Sequence, residues 1–346
     1  MPAELEELIG QFRWLLSTQE NPVIVPGEAI LGIEGIAAGI ATPGRTILNL
    51  VTGPYGKNFG VWLERGGATV SELQTAYDDV LTVEAVAEAI ECSHPCALAF
   101  VQAEAITGGS NPTEEILKVA RRYNLITVVD SVSAIGAEPV RMDEWGMDFV
   151  AVGAQKALSG SNGVSAVGIS ARGWEFLESN PTAPRNSVLS LIDLRRSPDL
   201  QEPVSANIPV LEARTTIQAL RQIREEGISS VLGRHKRAAA SSIAAIRALG
   251  LEPWQRREAG YSPLVTAVRL PDMENWKFRS PIGILAPGDG ELFGKLLRIN
   301  HYGSNADCRT VEEAVKTLAG LLSRDPENAV SAVRKVWKKS DDETIS

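Results

Sequence analysis

Short apolar runs alternate along this chain with stretches in which apolar residues recur every three or four positions. Residues 4–20 place Leu5, Leu8, Ile9, Phe12, Leu15 and Leu16 at helical spacing. Pro22-Val23-Ile24-Val25 predicts a short strand, and 27–41 a helix stopped by Thr42-Pro43-Gly44. A strand over 46–51 is followed by a Gly53-Pro54-Tyr55-Gly56 loop and a helix to Arg65. Helices are then expected over 82–90 and 113–123, and strands over 97–101, 126–130, 149–153 and 165–169. Thr113, ahead of Glu114-Glu115, reads as a helix N-cap with acids in the first turn. This alternation predicts an α/β fold, a mostly parallel central sheet flanked by helices. Ligands then gather at the carboxyl ends of the strands, where Tyr55, Glu104, Asp130 and Lys156 all fall.

Beyond a Pro- and Ser-rich passage, 181–209, two long helices are expected over 211–226 and 229–249. Strands over 264–270, 282–285 and 297–300 and a helix over 310–322 complete a smaller α+β unit. The predicted organisation is an N-terminal helix in 1–20, a large domain over 21–210, bridging helices with a small C-terminal domain over 211–324, and a tail over 325–346. That tail, rich in Lys and Asp, is expected to fray.

Composition narrows the class. A formal charge of −9 argues against nucleic acid or an anionic membrane as the main partner. It leaves room for a small anionic substrate, because one buried arginine outweighs a diffuse field. No stretch approaches the roughly 20 apolar residues of a membrane span. The acidic start, Met1-Pro2-Ala3-Glu4, lacks the basic-then-apolar order of a signal peptide. Cys92, Cys96 and Cys308 form no disulfide framework, and Cys92-Ser93-His94-Pro95-Cys96 lacks the further ligands a metal site needs. The expectation is a reduced, cytoplasmic protein without a metal.

The candidate chemistry lies at two strand ends. Val128-Val129-Asp130 delivers a buried carboxylate, and Phe149-Val150-Ala151-Val152-Gly153 leads to Gln155-Lys156. An acid facing a pyridine nitrogen and a lysine able to form a Schiff base are what a pyridoxal-type cofactor requires. Burial at a strand end would lower the lysine's pKa and free its amine for attack on a carbonyl. Taken alone, the two residues read equally well as a capping acid and a surface lysine.

The surrounding motifs, in this order, are more specific: Pro26-Gly27-Glu28-Ala29-Ile30-Leu31-Gly32-Ile33-Glu34, Gly53-Pro54-Tyr55-Gly56, Glu104-Ala105-Ile106-Thr107-Gly108, Val129-Asp130-Ser131-Val132, Gln155-Lys156-Ala157-Leu158 and Leu297-Arg298-Ile299. Over nearly all of 21–322 the chain resembles the class V aminotransferases, in particular their alanine–glyoxylate (serine–pyruvate) and pyridoxamine–pyruvate branch. The resemblance implies a fold-type I homodimer with shared active sites, using pyridoxal 5'-phosphate, or pyridoxal and pyridoxamine bound as substrates. It implies Lys156 and Asp130 as catalytic residues and Arg298 as the clamp on a substrate carboxylate. Tyr55 would stack on the ring and Val132 close its other face, with Glu28, Ala29, Ile30, Thr107, Gln155 and Asn207 completing the cofactor's surroundings. The substrates implied are a small amino acid and a 2-oxo acid of the alanine/pyruvate or glyoxylate kind.

Departures from the family pattern bear on the substrate. Where the family usually offers Ser or Thr, Gly and a further donor to a phosphate at a helix start, this chain has Glu28-Ala29-Ile30. A carboxylate there would occupy the anion site, as in the pyridoxamine–pyruvate branch, whose enzymes take the unphosphorylated vitamer as substrate. Gln155 matches members in which this side chain helps hold the phosphate. Asp289 stands where the pyridoxamine branch carries a second arginine, Ala105 where a hydroxyl often touches the ring's 3-hydroxyl, and Asn207 where the partner commonly lends a hydroxyl. The chain also starts short of an N-terminal segment that in typical members often reaches the substrate pocket, so substrate identity is the least determined feature. A lyase or decarboxylase on the same cofactor, or a silent paralogue serving as a binding subunit, stand as alternatives.

Overall fold

The structure, a computed structural model, describes residues 2–195, 207–271 and 280–344. Of the Pro- and Ser-rich passage 181–209, residues 196–206 lie outside the described residues.

The first half builds the sheet. In chain order it comprises α1 (Pro2–Leu16), β1 (Val23–Val25), α2 (Ala29–Ile40), β2 (Thr46–Val51), α3 (Pro54–Arg65), β3 (Thr69–Gln74), α4 (Val83–Ser93), β4 (Ala97–Val101), β5 (Ala103–Glu104), β6 (Gly109–Ser110), α5 (Thr113–Arg122), β7 (Ile126–Asp130), α6 (Met142–Trp145), β8 (Phe149–Gly153), β9 (Ser165–Ile169), α7 (Ala171–Glu178) and α8 (Leu191–Leu194). The seven-stranded sheet runs β1-β9-β8-β7-β4-β2-β3. Its strands from β8 to β3 are parallel, while β9 is antiparallel to both β8 and β1.

Strands buried on both faces read as continuous apolar runs, and alternate residues serve opposite layers. Leu48, Leu50, Leu98, Phe100 and Val129 face a core shared with α1, α4 and α5, whereas Ile47, Ala97, Ala99 and Val128 face one shared with α2, α3 and α7. Helix α2 is apolar almost all round because it lies against the sheet. A Cβ at Gly32 would come within 2.9 Å of Val167 Cγ2, so only glycine permits this approach.

The second half follows as α9 (Val210–Glu226), α10 (Ile228–Ala248), β10 (Thr266–Arg269), β11 (Leu285–Pro287), β12 (Leu296–Ile299), α11 (Cys308–Leu321) and α12 (Glu327–Thr344). A three-stranded antiparallel sheet, β10-β12-β11, packs Val268, Leu285, Leu297 and Ile299 into a core with α10, α11 and α12. Among the described residues no helix is long and apolar enough to cross a membrane.

Several expectations are corrected. Over its described residues, to Thr344, the segment from 325 does not fray: Ala329, Val333 and Trp337, spaced i, i+4, i+8, pack as α12 on the small-lobe core, and Trp337 Nε1 donates to Ser241 Oγ at 3.2 Å. Gly53-Pro54-Tyr55-Gly56 is not a loop but the start of α3, with Pro54 in the first turn, where its missing N–H is no loss. The N-cap of α5 is Pro112, and Thr113 is buried with its hydroxyl donating to Asn111 O. The strand expected over 282–285 begins only at Leu285, because Ile282 and Leu285 pair with each other across a turn. Strand β3 lies outside the predicted elements: at the sheet edge, Thr69-Val70-Ser71-Glu72-Leu73-Gln74 carries no apolar run.

Candidate active site

Strand direction decides which residues meet. Strands β2, β4, β7 and β8 are neighbours and parallel, so the residues at or just past their ends, Tyr55, Glu104, Asp130 and Lys156, share one edge of the sheet. Two successive antiparallel steps, β8 to β9 and β9 to β1, restore the direction, so Glu28 beyond β1 reaches the same edge.

Asp130 ends β7 with a buried carboxylate whose Oδ1 accepts the Val132 N–H at 2.9 Å. Burial pushes its pKa up to about 6; Lys156 opposes the rise and Glu28 adds to it. Lys156 Nζ donates to Ser133 Oγ at 2.8 Å and lies 5.3 Å from the centroid of the Tyr55 ring. Burial lowers the lysine's pKa, against the pull of Asp130, Glu28 and Glu104.

Tyr55 is set by a buried acid outside the expected site residues. Glu104 accepts the Gly56 N–H at 2.9 Å and the Tyr55 N–H at 3.4 Å, closing the start of α3. A Cβ on Gly53 would lie 2.4 Å from Glu104 Cδ, so the residue before α3 must be glycine for this carboxylate to fit. On the other side Asn49 Nδ2 donates to Gly56 O at 2.9 Å. Burial raises the Glu104 pKa to about 7. Its signal in the sequence was an acid just beyond a strand end; Ser133 had none beyond its spacing from Asp130.

The start of α2 is closed in the same way. Glu28 is its N-cap: Oε2 accepts the Ile30 N–H at 3.0 Å and Oε1 accepts from Gln155 Nε2 at 2.7 Å. A carboxylate only accepts, which fixes the Gln155 amide with nitrogen toward Glu28 and leaves its Oε1 buried and unpartnered. Ala29 is buried and Ile30 half-buried on the same turn, and Val132 packs in the core that includes Ala29.

Arg298 lies on the central strand of the small sheet, flanked in register by Ala267 and Ala286. Alternation sends Leu297 and Ile299 into the small-lobe core and turns Arg298 to the opposite face. Ala267 on that face belongs to the cluster against which Tyr55 packs; burial raises the Tyr55 pKa and the Arg298 charge opposes that rise, while the same charge adds to the lowering that burial imposes on Lys156. Thr107 is buried, its Oγ1 accepting the Gly109 N–H at 3.3 Å within the β5–β6 turn. The single chain leaves Asn207 exposed just ahead of α9.

The cluster joins a buried acid, a lysine with lowered pKa, an aromatic ring and an arginine. That set suits a ring with a pyridine nitrogen and an aldehyde or amine, carried beside a carboxylate substrate. The anion end differs, since an internal carboxylate already holds the free amide of α2.

Residues 37–258 match the family model described as aminotransferase class V. Pyridoxamine–pyruvate transaminase of Mesorhizobium japonicum is 30% identical, over 92% of this chain and 83% of that protein. The crystal structure of pyridoxamine–pyruvate aminotransferase from Mesorhizobium loti superposes with a TM-score of 0.92 at 28% identity, over 98% of this chain and 90% of that one. That of alanine–glyoxylate aminotransferase from Nostoc gives 0.86 at 26% identity, over 92% and 86%. With the family model spanning most of its length and relatives matched over nearly all of it, the chain belongs to the class V aminotransferases, fold-type I enzymes that move amino groups by vitamin B6 chemistry.

Proposed function

We propose that this aminotransferase exchanges an amino group between the unphosphorylated vitamer, pyridoxamine or pyridoxal, and a small 2-oxo acid or amino acid of the pyruvate/alanine or glyoxylate kind. The carrying observation is the Glu28 carboxylate bound by the Ile30 N–H and the Gln155 amide at the start of α2. A helix start offers unpaired amides to an anion, and here the protein supplies the anion itself. Gln155 Oε1, buried without a donor, adds a second acceptor at that end. A hydroxymethyl group donates a hydrogen bond to such acceptors; a phosphate dianion does not, and meets the charge of Glu28 as well.

When bound, the vitamer's protonated ring withdraws electrons from the carbon that loses its proton. Asp130 holds the proton on the ring nitrogen through a charge-assisted hydrogen bond, for which its burial excludes competing water. Tyr55 and Val132 take the two ring faces, with Thr107, Ala29, Ile30 and Gln155 around its edge. Lys156 Nζ moves the proton between the substrate α-carbon and the carbon bearing the vitamer's amine, a task that needs a free amine near neutral pH. Arg298 holds the substrate carboxylate, and its buried Nε, without a partner among the described residues, supplies a donor for it.

In this reading 21–210 carries the ring-binding residues and 211–324 brings Arg298 to them. A homodimer fits the exposed apolar pair Val210 and Leu211, 37% and 76% exposed and close to Asn207, which the partner would cover. The free thiols of Cys92, Cys96 and Cys308 fit a cytoplasmic location.

Product analysis tests the proposal. Pyridoxamine and pyruvate should yield pyridoxal and alanine mole for mole. Transfer between two amino acid/oxo acid pairs that needs catalytic pyridoxal phosphate and releases no pyridoxal would overturn it.

A further inference from the structure

Arg298 Nη2 donates to Pro287 O and to Asp289 Oδ2, both at 3.1 Å, so its two hydrogens are engaged. A guanidinium grips a carboxylate through two parallel N–H groups, either Nη1 with Nη2 or Nε with Nη2. Nη2 belongs to both edges, so a two-pronged grip must reclaim one of its hydrogens. Pro287 is fixed by the strand pairing of β11, its Cα opposite Leu297. Asp289 lies just beyond that strand with a side chain 59% exposed, against 15% for Arg298. Asp289 is therefore the partner that can yield. The Nε of Arg298, buried and without a partner among the described residues, marks the edge left for the incoming group, because a buried donor without an acceptor is costly.

We propose that Asp289 is a specificity-determining residue: an internal carboxylate that competes for Arg298, yields to the substrate carboxylate, and then stands beside it as a fixed negative charge. This rests on the reading of Arg298 as the carboxylate clamp. Competition weakens the hold on any carboxylate. The displaced charge selects 2-oxo acids with one carboxylate, because a second would face Asp289 near the clamp. Glu28, Glu104 and Asp130 add negative charge to the same site, against Lys156 and Arg298.

The test compares wild type with Asp289→Asn and Asp289→Ala, using pyruvate and 2-oxoglutarate as acceptors and propionate as an unreactive monocarboxylate. Because Asp289 is largely exposed, its removal should lower the KM for pyruvate and the calorimetric Kd for propionate about threefold. The kcat/KM preference for pyruvate over 2-oxoglutarate should shrink about tenfold as the like-charge repulsion goes. Unchanged propionate binding and an unchanged preference in both variants would overturn the proposal. Wild type that transfers no amino group to either acceptor would instead count against the proposed function, while propionate binding still reports on Asp289. A melting temperature within error of wild type shows that the variants fold.

Discussion

Gln155 Nε2 and Glu28 Oε1 meet at 2.7 Å, joining the residue before Lys156 to the N-cap of α2. Through this contact the lysine loop and the anion-binding end of the site are one unit. A loss at either residue should register at both.

Glu104 and Gly53 should behave as a coupled pair. Gly53→Ala forces a Cβ to within 2.4 Å of Glu104 Cδ, an overpacking expected to cost about 1–3 kcal/mol in urea unfolding. Glu104→Ala removes the obstacle, so the double variant should lose less than the sum of the single losses. Strict additivity would mean that Glu104 does not hold the start of α3.

Acid stability should depend on two buried histidines. His235 Nε2 accepts the Gly303 N–H at 3.0 Å, and His301 Nε2 pairs with the Thr266 hydroxyl at 2.8 Å. Burial lowers them to about 4 and about 3, with Arg234 acting further on His235 and His235 on His301. Folded values below the ordinary one mean stability present above about 6.5 and lost as pH falls toward those values, on the order of 3 kcal/mol for His235 and 5 kcal/mol for His301. Urea unfolding of His301→Gln between pH 7 and 4 should show a shallower acid loss than wild type; an equal slope would contradict the assignment.

Glu104 and Asp130 act with the opposite sign. Their folded values, about 7 and about 6, lie above the ordinary ones, so their contribution is full below the ordinary carboxylate range and lost as pH rises through 6 to 7. Glu104→Gln should remove part of that loss, which the same titration measures.

Lys156 should capture pyridoxal well below the pH at which a free lysine would. Glu104 favours its charged form, so Glu104→Gln lowers the lysine's pKa further and moves the midpoint of capture rate against pH downward. An upward shift would contradict the sign. Lys156→Ala should abolish capture and reduce transfer by on the order of a thousandfold or more.

The parallel strands and their ends were legible because a strand buried on both faces is an unbroken apolar run, and Asp130 and Lys156 interrupt two such runs at their ends. Strand β3 was hidden, since an edge strand exposes much of itself and Glu72 and Gln74 break any pattern. The last helix is hard to read because Lys338-Lys339 and Asp341-Asp342-Glu343 crowd its second half, although Ala329, Val333 and Trp337 hold the helical spacing. Pairings such as Lys156 with Ser133, or Arg298 with Asp289, depend on where loops return, and spacing along the chain does not encode that.

The occupant of the α2 start is the central claim, and binding of the two vitamer forms tests it most directly. Wild type and Glu28→Ser are each mixed with pyridoxal and with pyridoxal phosphate while the aldehyde absorbance is followed to give Kd values. Serine is also a favoured N-cap, so the helix start keeps its cap in the variant. The account predicts that wild type takes up pyridoxal and discriminates against the phosphate ester, and that Glu28→Ser reverses the preference. Tight uptake of the phosphate ester by wild type, with indifference to pyridoxal, would contradict it.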